Sequence, residues 1–175
     1  MYRNDKSYGN HNSKRETNER GGWEQNTGNR GRMSSLDRVE IDELILKYLR
    51  NDSLTEGDQY EIFRLNGKIM EKYCKRNEDE AKMSQLRKFY DEIVSIYDDY
   101  ESGRKSGGRL IRLLPVARYA FARDLIRRDL LELINKGVEI VSKENDEKRK
   151  MECLRNFKNV MEAVIAYSKK EKGGK

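Results

Sequence analysis

Histidine is almost missing from this 175-residue chain, in which His11 is the only one. General acid–base catalysis, Cys–His nucleophile pairs and many metal sites depend on imidazole. Paired acids such as Asp98-Asp99 do not replace it, because adjacent residues of a helix point in different directions. The sequence therefore predicts no catalytic residue, no metal site and no cofactor.

Cysteines and long apolar runs are also scarce. Cys74 and Cys153 stand alone, without the C-x-x-C spacing of redox or zinc sites, and we expect them to be reduced, buried thiols. No run of apolar residues approaches the roughly 20 that are needed to span a bilayer. Because the N-terminus also lacks the apolar core of a signal peptide, a cytoplasmic location without membrane contact is expected.

Proline is limited to one residue, and charged residues outnumber hydrophobic ones, 39% against 35%. Apolar residues recur at three- and four-residue spacing, which is typical of amphipathic helices, and strand-like alternation is missing. We expect an all-α fold, a compact bundle of five or six helices. A first helix should end near Asn51, a second should start after Gly57-Asp58, and a third should be capped by Ser84.

The same spacing continues through the second half of the chain. Pro115 is tolerated in the first turn of a helix and unfavourable in its interior, so a helix should start or kink there. Apolar positions from Leu130 to Val141 indicate a further helix. The last one should run from about residue 146 to residue 170, with Phe157, Met161 and Tyr167 in packing positions.

Residues 1–35 have a different composition, with five glycines, six asparagines and five arginines. Such a segment cannot bury enough apolar surface to offset its chain entropy. The sequence predicts a flexible tail over residues 1–35 and a helical bundle domain over residues 36–175. Trp23 of the tail could stack on bases, although an unstructured terminus is the favoured interpretation.

Positive charge is concentrated between Arg104 and Arg128, where eight Lys or Arg residues meet one acid, in a chain of net charge +6. Apolar residues interleave with these charges, so the segment must fold with its apolar side buried and its arginines exposed. A rigid basic surface of this kind is typical of proteins that bind nucleic acid. Residues 36–103 carry 11 basic and 17 acidic residues, and this polarisation suits a subunit that also contacts other proteins.

Basic residues in and near this segment are the candidate phosphate contacts. They are Arg87, Lys88, Arg109, Arg112, Arg118, Arg123 and Arg127. Arg109 and Arg112 are the strongest candidates, because they lie between a glycine-rich loop and Pro115. Arg87 and Lys88 are expected in the first turn of the third helix, where cations oppose the helix dipole, which favours a functional role. The alternative for both is an ion pair with an acid one turn later.

Arg123 and Arg127 should lie one turn apart on a helix that starts at Val116, on the same face as Ala120. The small alanine would let an RNA or DNA backbone approach, and two guanidinium groups could bridge successive phosphates. An ion pair with an acid of the third helix is the alternative for Arg123. Tyr119 is expected in the core rather than as a stacking platform.

Three motifs occur in a fixed order along the chain. They are Ser84-x-x-Arg87-x-Phe89-Tyr90, Leu114-Pro115-x-x-x-Tyr119-Ala120-x-x-Arg123 and Phe157-x-x-x-Met161-Glu162-Ala163-x-x-Ala166-Tyr167. Together they resemble the small subunit of the type III-A CRISPR effector, the Csm complex. The resemblance covers about residues 36–170.

The resemblance implies a non-catalytic, all-α, RNA-binding subunit of an antiviral ribonucleoprotein. Its partners would be CRISPR RNA and target RNA, the other subunits of the effector, and copies of itself in an inner filament. Its basic surface would contact the RNA duplex, while neighbouring subunits carry the cleavage and signalling chemistry.

Other functions stay open from the residues alone. One is a helical protein–protein adaptor whose basic face docks an acidic partner. Another is the small subunit of the related type III-B complex, although the residues around Tyr119 favour type III-A. An enzyme with an unrecognised site is the third.

Overall fold

The computed structural model describes residues 41–64, 67–74, 80–104 and 107–168. These residues form seven helices: α1 (Glu43–Leu49), α2 (Glu56–Phe63), α3 (Lys68–Cys74), α4 (Glu80–Glu101), α5 (Gly107–Ala122), α6 (Arg128–Lys143) and α7 (Glu147–Ser168). No strand occurs in these ranges, which confirms the predicted all-α bundle. None of the seven helices is long and apolar enough to cross a membrane. The predicted tail, residues 1–35, lies outside the described residues.

The second predicted helix is divided into α2 and α3, and this division accounts for the extra helix. Thr55 caps α2 through a capping box, in which its Oγ1 accepts from the Asp58 backbone N–H (3.1 Å) and its own N–H donates to the Asp58 carboxylate (3.0 Å). Between the two helices the chain passes Gly67, where a Cβ atom would lie 2.7 Å from Cγ of Arg64. A side chain at this turn would therefore displace the Arg64 side chain and crowd the Arg64 carbonyl, which would lie 3.0 Å from the added Cβ.

Helix α4 begins at Glu80, so the prediction that Ser84 caps it is wrong. Ser84 is an exposed residue within the helix. Arg87 and Lys88 lie two turns in, where the dipole of the helix end has little effect. Their proposed position in the first turn, and the inference drawn from it, are corrected accordingly.

Helix α5 starts eight residues before Pro115 and runs through it. Proline removes one backbone donor and leaves the carbonyl four residues earlier without a helical partner. Here both Pro115 and Ile111, the residue that carries this carbonyl, are exposed, so water can hydrate the carbonyl. The proline is thus tolerated on the solvent side of the helix, and a start at Pro115 is not observed.

Helix α5 ends in a Schellman motif with Asp124 in the left-handed region (φ 55°). The N–H of Leu125 donates to the Ala120 carbonyl (2.9 Å), and the N–H of Asp124 donates to the Phe121 carbonyl (3.0 Å). Arg123 is therefore the C-cap of α5, whereas Arg127 is the N-cap of α6. The prediction that Arg123 and Arg127 share one helix face is wrong.

The core lies where α7 packs against α1, α3, α4 and α6, and where α5 packs against α4 and α6. The packing roles predicted for Phe157, Met161 and Tyr167 are confirmed. Phe157 and Met161 are fully buried. The Tyr167 hydroxyl, on the same helix, donates to the Phe63 carbonyl at 2.6 Å and so ties α7 to the end of α2.

Cys74 and Cys153 are free thiols, as predicted. Cys153 is buried and Cys74 is half-buried, with its Sγ 3.5 Å from the Val164 carbonyl. Burial raises the pKa of the Cys74 thiol to about 11, so this thiol stays protonated and poorly nucleophilic at neutral pH.

Helices α6 and α7 approach closely at Gly137. A Cβ atom on this residue would lie 2.5 Å from the ring of Phe157, which is fully buried and cannot move aside. Gly108, by contrast, lies in the first turn of α5, where a Cβ atom would meet no heavy atom within 4 Å, and its φ is not positive. The two helical glycines therefore form a matched pair.

We expect Gly137→Ala to lower the free energy of unfolding by about 1–3 kcal/mol, because overpacking outweighs the gain in helix propensity. Gly108→Ala should raise it by up to ~1 kcal/mol, since only the propensity term applies. Urea denaturation of both variants, followed by circular dichroism, measures the two shifts. Equal shifts for the two variants would contradict the close approach of α6 to Phe157.

Candidate nucleic-acid interface

The solvent side of α5 carries two parallel stripes of residues. Residues three and four apart share a helix face, so the exposed positions fall into two rows. One stripe consists of Arg112, Val116, Tyr119 and Arg123. The other consists of Ile111, Pro115, Arg118 and Ala122. All eight are exposed. The apolar members are unusually open to solvent, with 61% of Tyr119, 54% of Ile111 and 48% of Val116 accessible. We call these eight residues the outer face of α5.

Arg109 is bound to α4 rather than pointing to solvent. Its guanidinium donates two bonds of 3.0 Å to the Glu92 carboxylate, one of 2.6 Å to Asp99 and one of 3.1 Å to Ser95. The prediction of a direct phosphate contact is not supported by this geometry, because the donors that would face a phosphate are occupied. Arg109 instead fastens the start of α5 to α4.

Asp99 also binds Arg104, whose Nε lies 2.8 Å from Oδ1. The hydrogen bond from Arg104 lowers the pKa of the Asp99 carboxyl, and Arg109 adds to this effect. In turn, the hydrogen bonds to Glu92 raise the pKa of Arg109. Two arginines thus favour the ionised form of Asp99, and Arg109 also pairs with Glu92.

Tyr119 is an exposed residue, so the prediction that it lies in the core is wrong. The buried residues of α5 are Leu110, Leu113, Ala117 and Ala120, at three- and four-residue spacing, and Tyr119 does not fit this series. Its hydroxyl accepts a bond of 2.8 Å from Arg123, whose guanidinium carbon lies 5.5 Å from the ring centroid. The two side chains form one exposed cation–π unit.

Arg123 does not pair with an acid of α4 among the described residues, so the structural ion pair weighed for it is not observed. Ala120, which was expected beside it at the surface, is buried and cannot admit an RNA backbone. Arg112 is exposed and forms no ion pair or hydrogen bond with the residues that the structure describes. Arg118 lies over the Phe121 ring at 5.6 Å and is otherwise exposed.

The structure separates the remaining candidates. Arg127 is two-thirds buried and bonds to Asp129 at 2.8 Å, next to the start of α6. Lys88 faces α5, whereas Arg87, one residue earlier and about 100° round the helix, lies on another side of α4. Lys88, Arg112 and Arg123 are therefore brought to one surface, Arg118 lies on its far side, and Arg87, Arg109 and Arg127 are not part of it.

A groove of about 410 Å³ runs between α4 and α5 beside this surface. Its lining residues are Gln85, Lys88, Phe89, Glu92, Leu113, Val116, Tyr119 and Ala120. Phe89, Leu113 and Ala120 are buried and form an apolar floor. Glu92 is the one acid among the lining residues, and it is the acid that Arg109 binds through both carboxylate oxygens.

A second cleft, of about 360 Å³, lies between the end of α1, α6 and the start of α7. Acids and bases alternate in it, with Glu139 bound to Lys136 and Lys143 at 2.7 Å each. The hydrogen bonds from these lysines, that from Lys136 first, lower the pKa of Glu139 to about 2. Four bases meet three acids in this lining, so most of the positive charge is balanced and the cleft offers no strong field for an anion.

Among the described residues, no group of three or more His, Cys, Asp or Glu side chains could hold a metal ion. His11 lies outside those residues. The chemistry that the surface offers is therefore cationic and aromatic.

A family model described as Csm2 Type III-A matches residues 58–174, well over half of the chain. The match includes α3 to α7 and with them the outer face of α5 and the groove. No curated protein and no solved structure matches the chain significantly.

The pairing of Arg109 leads to a stability prediction. Arg109→Gln should lower the free energy of unfolding at pH 7 by roughly 1 kcal/mol, because a partly exposed, two-carboxylate ion pair is lost. Arg112→Gln, which removes the same charge one turn later, should leave it unchanged within about 0.5 kcal/mol. Urea denaturation gives both values, and an equal loss for the two variants would contradict the assignment.

The pH dependence gives a second check on the same pair of variants. The pKa of Asp99 is lowered in the folded state, so its contribution is present above the unfolded-state value of about 4 and is lost as pH falls through the folded-state value. The difference between wild type and Arg109→Gln should therefore shrink below about pH 4.

Proposed function

The chain belongs to the Csm2 Type III-A family, the small subunits of type III-A CRISPR effector complexes, and on this premise we propose that it binds RNA through the outer face of α5. The other subunits of the effector are its partners. We further propose that it has no catalytic activity of its own, that it works in the cytoplasm, and that copies of it assemble as an inner filament along CRISPR RNA paired with target RNA. The family match favours type III-A over type III-B.

One observation carries this proposal: three cations share a surface with an exposed aromatic ring and have no acidic partner among the described residues. They are Lys88 on α4 and Arg112 and Arg123 on α5. Unpaired cations on a rigid surface keep their full attraction for phosphate, since no internal ion pair has to be broken first. Contacts of this type bind the backbone and ignore base sequence, as an effector that accepts any spacer requires.

The spacing of the cations suits an extended backbone. Arg112 and Arg123 are eleven residues apart, so their Cα atoms lie roughly 16 Å apart along the helix axis. They would contact phosphates separated by several nucleotides, rather than successive ones. Lys88 would contact the same strand from the other side of the groove.

Arg109 supports this surface without belonging to it. By binding both oxygens of Glu92, it neutralises the one carboxylate among the lining residues of the groove. An unpaired carboxylate at that position would repel a phosphate across the groove. Arg109 is thus a positioning residue, which fixes α5 and screens the acid.

Salt dependence of RNA binding tests the proposal. The slope of log affinity against log salt for single-stranded RNA should flatten by about 0.7 for each phosphate contact that is lost. We expect this change for Arg112→Gln and for Arg123→Gln, measured by fluorescence anisotropy with the full chain. Lys148→Gln is the matched control, since it removes one exposed charge from α7 and should leave the slope unchanged.

A protein-binding function is the second candidate, and the exposed Ile111, Val116 and Tyr119 favour it, because aromatic and arginine side chains are enriched at protein interfaces. Slopes that are identical for wild type, Arg112→Gln and Arg123→Gln would overturn the RNA contact. Nuclease-resistant capture of an acidic protein, lost in the same variants, would then support the adaptor.

A further inference from the structure

We propose that the groove between α4 and α5 holds one unpaired nucleobase, stacked against Tyr119. This inference rests on the proposed RNA-binding function and deepens it, because it assigns a base site beside the phosphate contacts. The cations of the outer face account for backbone binding, whereas the groove and the Tyr119 ring make none of those phosphate contacts.

The lining of the groove matches the chemistry of a base. Its floor is apolar, formed by the buried Phe89, Leu113 and Ala120, and suits the face or edge of a flat ring. Its rim is polar, with the amide of Gln85 able to donate and accept hydrogen bonds at a base edge. A volume of about 410 Å³ leaves ample room for one base.

Tyr119 is prepared for stacking by its neighbour. Arg123 lies over the ring at 5.5 Å from its centroid and donates to its hydroxyl at 2.8 Å, so the ring already has a cationic partner in the free protein. Despite this cover, 61% of Tyr119 remains exposed. A base stacked on the free side would complete an arginine–tyrosine–base sandwich, which adds cation–π to stacking attraction.

Charge complementarity identifies the occupant as a nucleotide rather than an apolar peptide side chain. Lys88 lies at the rim, and Arg112 and Arg123 flank Tyr119 on its stripe, so a base in the groove would have its phosphates among three cations. Glu92, the acid at the rim, is already bound by Arg109. Bases within a duplex are stacked and paired, so the groove would take only an unpaired or displaced nucleotide.

The probe is a single-stranded RNA that carries the fluorescent base 2-aminopurine, titrated with the full chain. We expect quenching of the probe on binding and an affinity loss of roughly 5-fold or more for Tyr119→Ala, with little change for Tyr119→Phe. Tyr60→Ala is the matched control, because Tyr60 is 66% exposed on α2, away from the groove. Tyr119→Ala should weaken binding of single-stranded RNA by a larger factor than binding of a fully paired RNA duplex, in which no base is free to stack.

An abasic strand separates the base site from the backbone contacts. If Tyr119→Ala weakens abasic and ordinary RNA equally, the residue acts only through Arg123 and the base site is overturned. If Tyr119→Ala binds like wild type while Arg112→Gln and Arg123→Gln bind more weakly, the base site fails and the proposed function stands. Binding that none of these variants alters would overturn both.

Discussion

The position of α5 depends on the ion pairs that Arg109 makes with α4. The Arg109 guanidinium binds two carboxylates, those of Glu92 and Asp99, which lie two turns apart on α4. Arg104 holds the second of them from the other direction. These contacts hold the start of α5 on α4 while the apolar residues of the helix pack below, and the two together position the outer face.

The same interaction divides the basic residues of the segment into two groups. Arg104, Arg109 and Arg127 satisfy acids of the bundle, so their charges are balanced within the protein. Arg112 and Arg123 are without acids among the described residues and lie on the same stripe of α5 as the exposed Tyr119. A net charge summed over residues 104–128 cannot distinguish these groups, because the distinction depends on which acids α4 presents to α5.

Periodicity in the sequence predicted the helices and most of the core, since the burial of one helix face needs only a repeat of three and four residues. It did not predict the end of α5, because the left-handed residue there is Asp124 and not a glycine. The prediction from Pro115 was wrong for a related reason. The free-energy cost of proline within a helix depends on whether water reaches the carbonyl one turn earlier, and this depends on the fold. The exposure of Tyr119 could have been predicted from the sequence, because Leu113, Ala117 and Ala120 already fill the buried face.

The contacts of Arg109 could not have been predicted, since they join residues that are 17 and 10 positions apart.

We propose that Arg109 organises the proposed RNA-binding surface and does not itself touch RNA. A double-mutant cycle on RNA affinity, with Arg109→Gln, Glu92→Gln and the two combined, tests it most directly. We expect Arg109→Gln to weaken binding, because Glu92 loses its cationic partner at the groove, and we expect the addition of Glu92→Gln to restore most of the affinity. A double variant that binds as weakly as Arg109→Gln alone would contradict it and would identify Arg109 as a direct phosphate contact.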